Sequence, residues 1–291
     1  MSSSLPPPVK HIHFVWLQGE TDLRTRQPML WGYVQTWAQH FPDWGRTVWD
    51  DTMLRELLSR HFDPAVLAAY TLLPKFAMKS DIGRYAALYA YGGMYVDTDM
   101  ECLRNFEHLL SRTAAPNALF SHDGHILGGP FSNNCWFYFP YPHGAALATL
   151  LKRIPEKVAA IPASAWKHAL HGLVFGVTGP TAFREALQDN PPTEYITRAT
   201  LEPVTANNLH LDADGDAARA QFPDAYAIHH PQGSWMSVNG AFLKWFGRTW
   251  GAMRAQMPLV FPICVGFLLL VVLALSIVLI VRKAAPARRA K

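Results

Sequence analysis

Asp97 and Asp99 are the residues of this chain best suited to shared chemistry. They stand one residue apart in GGMYVDTDME, residues 92–101, after two glycines and a short apolar run. Two carboxylates held this close repel, and burying either without compensation costs several kcal/mol. A divalent cation removes that penalty. Oxygen ligands suit Mg²⁺ or Mn²⁺, which keep waters and take their remaining ligands from substrate phosphates. A sugar nucleotide needs this arrangement, because charge develops on its diphosphate as the sugar leaves. The triplet alone is a common pattern, and the chain contains a contrasting one in LDADGDAA. There Asp212, Asp214 and Asp216 sit among glycine and alanine with no strand before them, and they read as a solvated loop. A phosphatase reading of MYVDTDME, with Asp97 as nucleophile and Asp99 as general acid, calls for Thr or Val where Glu101 stands.

Holding two carboxylates together requires a strand that ends at a crevice. Residues 10–17, KHIHFVWL, form an apolar and β-branched run and read as the first strand. QPMLWGYVQTWAQHF reads as a helix and GRTVWD as a second strand. Asp50 or Asp51 can cap TMLRELLSRHF, and Asp63-Pro64 can open AVLAAYTLL. Lys75 to Tyr91 reads as a helix that Gly92-Gly93 ends, with Asp81 and Arg84 on one face. Residues 94–100 then alternate as a strand, which puts Tyr95, Asp97 and Asp99 on one side and Met94, Val96, Thr98 and Met100 on the other. NALFSHD, HILGG and NNCWFYFP read as short strands, HGAALATLLKRIPEKVAAI and GPTAFREALQ as helices, and AYAIHHPQGSW as a last strand and loop. The alternation predicts an α/β layered domain, whose ligands sit beyond the strand ends.

The chain has 291 residues, half of them hydrophobic, enough for one large core. Its net charge of +4 comes from the last ten residues, where Arg282, Lys283, Arg288, Arg289 and Lys291 stand without an acid. The body therefore carries no positive excess to hold a nucleic acid. Just before that tail, Leu259 to Val281 has no charged side chain. At ~1.5 Å per residue such a helix is about 34 Å long, enough for one membrane crossing. The N-terminus, MSSSLPPPVK, lacks the apolar core of a signal peptide. Topology signals conflict: the basic tail favours a cytosolic end, while export of the preceding domain needs a signal. Three cysteines, Cys102, Cys135 and Cys264, require no disulfide. The expected organisation is a leader over 1–9, a catalytic domain over 10–239, an aromatic and basic juxtamembrane segment over 240–257, a transmembrane helix over 258–281 and a basic tail over 282–291.

KSDIGRYAALYAYGGMYVDTDMECL resembles the DxD sugar-binding region of glycosyltransferase family 32, through Ser80-Asp81, Arg84, Gly92-Gly93, Tyr95, Asp97 and Asp99 together. Weaker echoes are HIHFVWLQG, TGPTAF over 178–183 and HHPQGSW over 229–235. The resemblance implies a GT-A-like nucleotide-sugar-binding domain with a mixed central sheet flanked by helices. It also implies that Asp99 binds the metal directly, that Asp97 contacts the donor ribose or the metal's water shell, and that Asp81 and Arg84 hold the hydroxyls of the transferred sugar. Trp16 would stack on the nucleobase, Tyr95 would help to form the donor site, His229 or His230 would add a metal ligand, and Ser234 and Trp235 would touch the diphosphate. The cofactors implied are Mn²⁺ or Mg²⁺ and a nucleotide-sugar donor, GDP-mannose ahead of a UDP-sugar. The acceptor implied is a lipid such as inositol-phosphoceramide, with a glycan or protein acceptor as the alternative, and with retention of configuration. A partner subunit and a Golgi or other endomembrane location fit that class. The rival to an enzyme is a non-catalytic membrane protein that binds sugar or metal.

Overall fold

The computed structural model describes residues 6–110, 119–126, 129–166, 171–190, 194–197 and 223–230. All lie in the first of two units, Met1–Met236 and Ser237–Lys291. The apolar run over 258–281, the triplet at 212–216 and the segment holding Ser234 and Trp235 lie outside the described residues. Among the described residues no helix is long and apolar enough to cross a membrane.

The chain begins with β1 (His11–Val15), α1 (Glu20–Arg26), α2 (Pro28–His40) and β2 (Gly45–Trp49). Three helices follow, α3 (Asp51–His61), α4 (Pro64–Leu72) and α5 (Phe76–Tyr91), before β3 (Gly93–Val96) and β4 (Met100–Cys102). Next come α6 (Glu107–Leu110), β5 (Leu119–Ile126), β6 (Gly129–Phe139), α7 (Ala145–Ala159), α8 (Ala163–Trp166), α9 (His171–Val177), α10 (Pro180–Asp189), β7 (Glu194–Thr197) and β8 (Ala227–His229). The main sheet has the order β2-β1-β3-β6-β5-β7, and β4 pairs with β8 in a separate ribbon. β1 runs parallel to β2 and β3, while β6 is antiparallel to β3 and β5, so the sheet is mixed as expected.

Alternation along the strands divides the core into two layers. Ile12, Phe14, Met94, Val96, Trp136 and Tyr138 face one layer, which α2 covers with Val34 and Trp37. Val15, Tyr95, Phe137 and Phe139 face the other, against Leu58, Ile82, Tyr85 and Leu150. The helix starts follow their capping residues. Asp50 accepts from Met53 N at 2.8 Å, and Asp63 accepts from Ala65 N at 2.8 Å with Pro64 in the first turn.

Gly92 ends α5 with φ 68°, its N–H donating to Leu88 O at 2.9 Å, and Gly93 follows at φ 98°. A Cβ at Gly93 would lie 2.5 Å from His11 O, so only glycine lets β3 approach β1 this closely. The structure corrects the strand expected over 94–100. β3 stops at Val96, and Met100 N donates to Asp97 O at 3.1 Å, closing a turn before β4. Asp97 makes the last ladder bond, its N–H to Cys135 O at 2.8 Å. Asp at the first position of such a turn is a favoured choice, and the turn, not a shared strand face, brings Asp99 back toward Asp97.

Beside this junction His13 is buried as a neutral imidazole. Its Nδ1 accepts from Trp49 Nε1 at 3.0 Å, so Nε2 carries the proton to Gly92 O at 2.9 Å. Burial pushes its pKa down to about 3, helped by the charge of His11. Below pH 6.5 the unfolded chain takes up a proton that the fold refuses until about pH 3, so this site's stabilisation is complete above 6.5 and is lost as pH falls through that window. Urea midpoints of the full chain in neutral detergent should show it. The advantage of wild type over His13→Gln is expected to shrink by as much as about 1.4 kcal/mol per pH unit between pH 6 and 4.

Candidate active site

The parallel strands β2, β1 and β3 end at one edge of the sheet, and their register, Val15 opposite Trp49 and His13 opposite Tyr95, brings Trp16, Asp50 and Asp97 to that edge. α5 approaches the same edge with its N-terminal end, and Ser80, Asp81 and Arg84 lie within its first nine residues. Helix and strand are joined there by a buried charge network. Arg84 Nη1 lies 3.0 Å from Asp97 Oδ1 and donates to Asn134 O at 2.6 Å. Its Nη2 lies 3.4 Å from Asp81 Oδ1, its Nε donates to Ser80 O at 3.3 Å, and its guanidinium sits 4.5 Å above the Tyr95 ring.

Asp81 is saturated from the other side. Asn134 Nδ2 donates to its Oδ1 at 2.8 Å, and the Thr178 hydroxyl donates to Oδ2 at 2.8 Å. Tyr85 ties these two partners together, donating to Thr178 O at 2.9 Å and accepting from Asn134 Nδ2 at 2.7 Å. Burial raises the Asp81 pKa, against the pull of Arg84, Thr178 and Asn134. For Arg84 burial opposes the charge, but Asp97, Tyr95 and Asp81 outweigh it and hold the guanidinium protonated.

Asp97 receives the Tyr95 hydroxyl at 2.6 Å on the oxygen that faces Arg84. Burial and the Asp99 charge nevertheless push its pKa up to about 6, against Arg84, Tyr95 and His229. Across the turn, His229 Nε2 lies 3.3 Å from Asp99 Oδ1. Asp97, Asp99 and His229 offer ligand atoms that all lie within 4.8 Å of one another. The β4–β8 ribbon makes this possible, because Met100 pairs with His229 and His230 N donates to Asp99 O at 2.8 Å. The Arg84 guanidinium meets two carboxylates, Asp81 and Asp97, and Asp99 adds a third beside Asp97. Two carboxylates and an imidazole with that excess of negative charge fit a divalent cation of the Mn²⁺ or Mg²⁺ type.

The sequence left His229 and His230 undecided, and the structure separates them. His229 turns to the cluster, whereas His230, its neighbour at the strand end, is buried with Nε2 3.0 Å from Glu101 Oε2 and its ring stacked 4.4 Å from Tyr33. Trp16 stands half-buried at the edge, its Nε1 donating to Asp22 Oδ2 at 3.0 Å. Sequence reasoning missed Asn134, Tyr85, Tyr33 and the pairing of Glu101. It met Thr178 only as the first residue of TGPTAF, without a role. Each of these is an ordinary polar residue until the fold brings distant positions together: the Thr178–Asp81 contact spans 97 positions, the Asn134–Asp81 contact 53, the Asn134–Tyr85 contact 49 and the Glu101–His230 contact 129.

With this geometry in place, likeness to known proteins becomes informative. Residues 29–116 match the glycosyltransferase sugar-binding region containing the DXD motif. This stretch belongs to that family. It holds Asp81, Arg84, Tyr95, Asp97 and Asp99, while Thr178 and His229 lie beyond it. An uncharacterized glycosyltransferase of Acanthamoeba polyphaga mimivirus is 31% identical over 34% of this chain and 38% of its own length. Inositol phosphoceramide mannosyltransferase 3 of Schizosaccharomyces pombe is 30% identical over 45% of this chain and 36% of its own. The initiation-specific alpha-1,6-mannosyltransferase of Candida albicans is 34% identical over 28% and 22%. The chain therefore spans well under half of each of these relatives. Among solved structures, the PaToxG glycosyltransferase aligns over 84% of this chain and 78% of its own at 14% identity, with a TM-score of 0.39.

Proposed function

We propose that the chain is a membrane-anchored, metal-dependent glycosyltransferase that moves a sugar from a nucleotide donor to a lipid acceptor, with retained configuration. The observation that carries this reading is the convergence of Asp97, Asp99 and His229 at the end of β3, backed by the buried Arg84–Asp81 pair of the sugar-binding region. Asp99 and His229 would hold Mn²⁺ or Mg²⁺, with Asp97 on its water shell or on the ribose. When bound, the cation neutralises the diphosphate leaving group. Trp16 at the same edge would face the base. Asp81 and Arg84, fixed by Asn134, Thr178 and Tyr95, present a rigid charged wall to the hydroxyls of the sugar.

In the step proposed, the bond between the anomeric carbon and the phosphate oxygen breaks, and the acceptor hydroxyl forms the new bond on the same face. Its proton passes to the departing phosphate. Among the described residues no side chain stands out as a covalent nucleophile, which favours this front-face course. Mannose from GDP-mannose is the favoured donor, since two of the three relatives named above are mannosyltransferases. The lipid acceptor rests on the relative whose name gives inositol phosphoceramide and on the apolar run over 259–281, with an endomembrane as the expected location. A panel of GDP- and UDP-sugars offered with Mn²⁺ to the full chain in detergent tests the reading. Slow release of sugar from GDP-mannose, abolished by chelator, is expected. Turnover of no donor would leave a sugar- or metal-binding protein instead, and an inverted glycosidic linkage in the product would exclude the front-face step.

A further inference from the structure

Among the described residues the exposed large apolar side chains are Met29 at 43%, Leu72 at 54%, Phe76 at 64% and Tyr91 at 44%. Three of these four belong to the sheet edge that carries Asp97. Phe76 opens α5 eight residues ahead of Arg84, whose Nη1 meets Asp97 at 3.0 Å. At ~1.5 Å per residue it therefore stands about 12 Å farther out along the helix than that contact. Leu72 closes α4 and is joined to Phe76 by Leu73, Pro74 and Lys75. Met29 lies one helical turn ahead of Tyr33 on α2, and Tyr33 stacks on His230 beside Asp99. α2 and α5 cover opposite faces of the sheet, so apolar side chains flank the crevice from both layers. Tyr91, at the far end of α5, has ring partners in Trp49 and His61.

Charge indicates what this rim meets. Residues 64–80, PAVLAAYTLLPKFAMKS, contain Lys75 and Lys79 and no acid. Lys79 rests its amine 5.2 Å above the ring of Tyr70, whose hydroxyl donates to Asp51 of α3 at 2.7 Å. Exposed Leu and Phe interleaved with lysines match the surface of an anionic bilayer, where the rings and aliphatic side chains enter the headgroup layer and the amines meet lipid phosphates. The same chain carries the uncharged run from Leu259 to Val281, long enough to hold it at a membrane.

We propose that Leu72, Phe76 and Met29, with Lys75 and Lys79, form a bilayer-contact rim that seats the crevice of Asp97, Asp99 and His229 on anionic lipid. A lipid acceptor's headgroup then reaches the crevice without leaving the membrane. The rim's part in catalysis rests on the lipid-acceptor reading above, while its contact with the bilayer does not.

Two readouts keep those apart. Cys102 and Cys135 are buried, so the full chain with Cys264→Ser and Phe76→Cys accepts an NBD label at position 76. In phosphatidylserine/phosphatidylcholine vesicles its emission is expected to shift to the blue and to be quenched by brominated acyl chains. The same label at Ser59→Cys, an exposed position on α3, should stay in water. Emission at position 76 indistinguishable from that at 59 would overturn the contact, as would protection conferred only by a soluble protein or glycan. Separately, the Leu72→Asp/Phe76→Asp chain is expected to transfer sugar to a vesicle-borne lipid at least about tenfold more slowly. Its donor hydrolysis should match wild type. Equal losses in hydrolysis and transfer would make the rim a support of the donor site and overturn its role as a membrane seat. A chain that turns over no donor fails the transferase reading, and the fluorescence still decides the contact.

Discussion

Asp99→Ala is expected to lower metal-dependent cleavage of the nucleotide sugar about 10³-fold, or about 4 kcal/mol of transition-state stabilisation. The effect should be catalytic and not structural. Asp99 lies in the turn between β3 and β4, and its main-chain O, which accepts from His230 N at 2.8 Å, survives the substitution. Removing its carboxylate also relieves the repulsion that helps to raise Asp97 to about pKa 6. Stability measured by urea is therefore expected to stay within about 0.5 kcal/mol of wild type or to increase. Initial rates against Mn²⁺ concentration check this, and turnover within tenfold of wild type at saturating Mn²⁺ would remove Asp99 from the metal site.

Arg84→Met is expected to be the most damaging substitution to the fold. It leaves Asp81 and Asp97 facing the same space without a cation, and breaking a buried pair in this way costs about 3–5 kcal/mol. That is a large share of the ~5–15 kcal/mol that holds a domain together. Adding Asp81→Asn removes one of the stranded charges and keeps an acceptor for the Thr178 hydroxyl, so the double variant should regain about 1–2 kcal/mol over Arg84→Met. Unfolding midpoints of the four chains close the cycle. Additive losses would mean that Arg84 stabilises through its contacts with Asn134 and Tyr95, and not through charge.

These two residues also mark how far the sequence could be read. Asp50, Asp63-Pro64 and Gly92-Gly93 announce helix starts and a helix end through local chemistry, and the elements stand where those signals put them. Asp81, Arg84, Asp97 and Asp99 are legible because helix spacing, a glycine break and a resemblance coincide within a short stretch. The strand over 94–100 misled because alternation continues through the turn: Thr98 and Met100 keep the period while the hydrogen bond from Met100 to Asp97 bends the chain. Asn134 and Thr178 carry no local signal at all, since their role exists only once β6 and the residues after α9 are packed on α5. The choice between His229 and His230 needed the β4–β8 register, which links residues more than a hundred positions apart and leaves no periodic trace.

Electron paramagnetic resonance of Mn²⁺ titrated into the full chain with GDP tests the central claim most directly, because it reads the metal without requiring turnover or an acceptor. Wild type is expected to remove the free Mn²⁺ signal in proportion to chain, and Asp99→Ala and His229→Ala should each leave that signal largely intact, while His230→Gln, which faces Glu101, should bind like wild type. Equal binding by wild type and Asp99→Ala, or loss of binding in His230→Gln with His229→Ala unaffected, would contradict a metal site built from Asp97, Asp99 and His229.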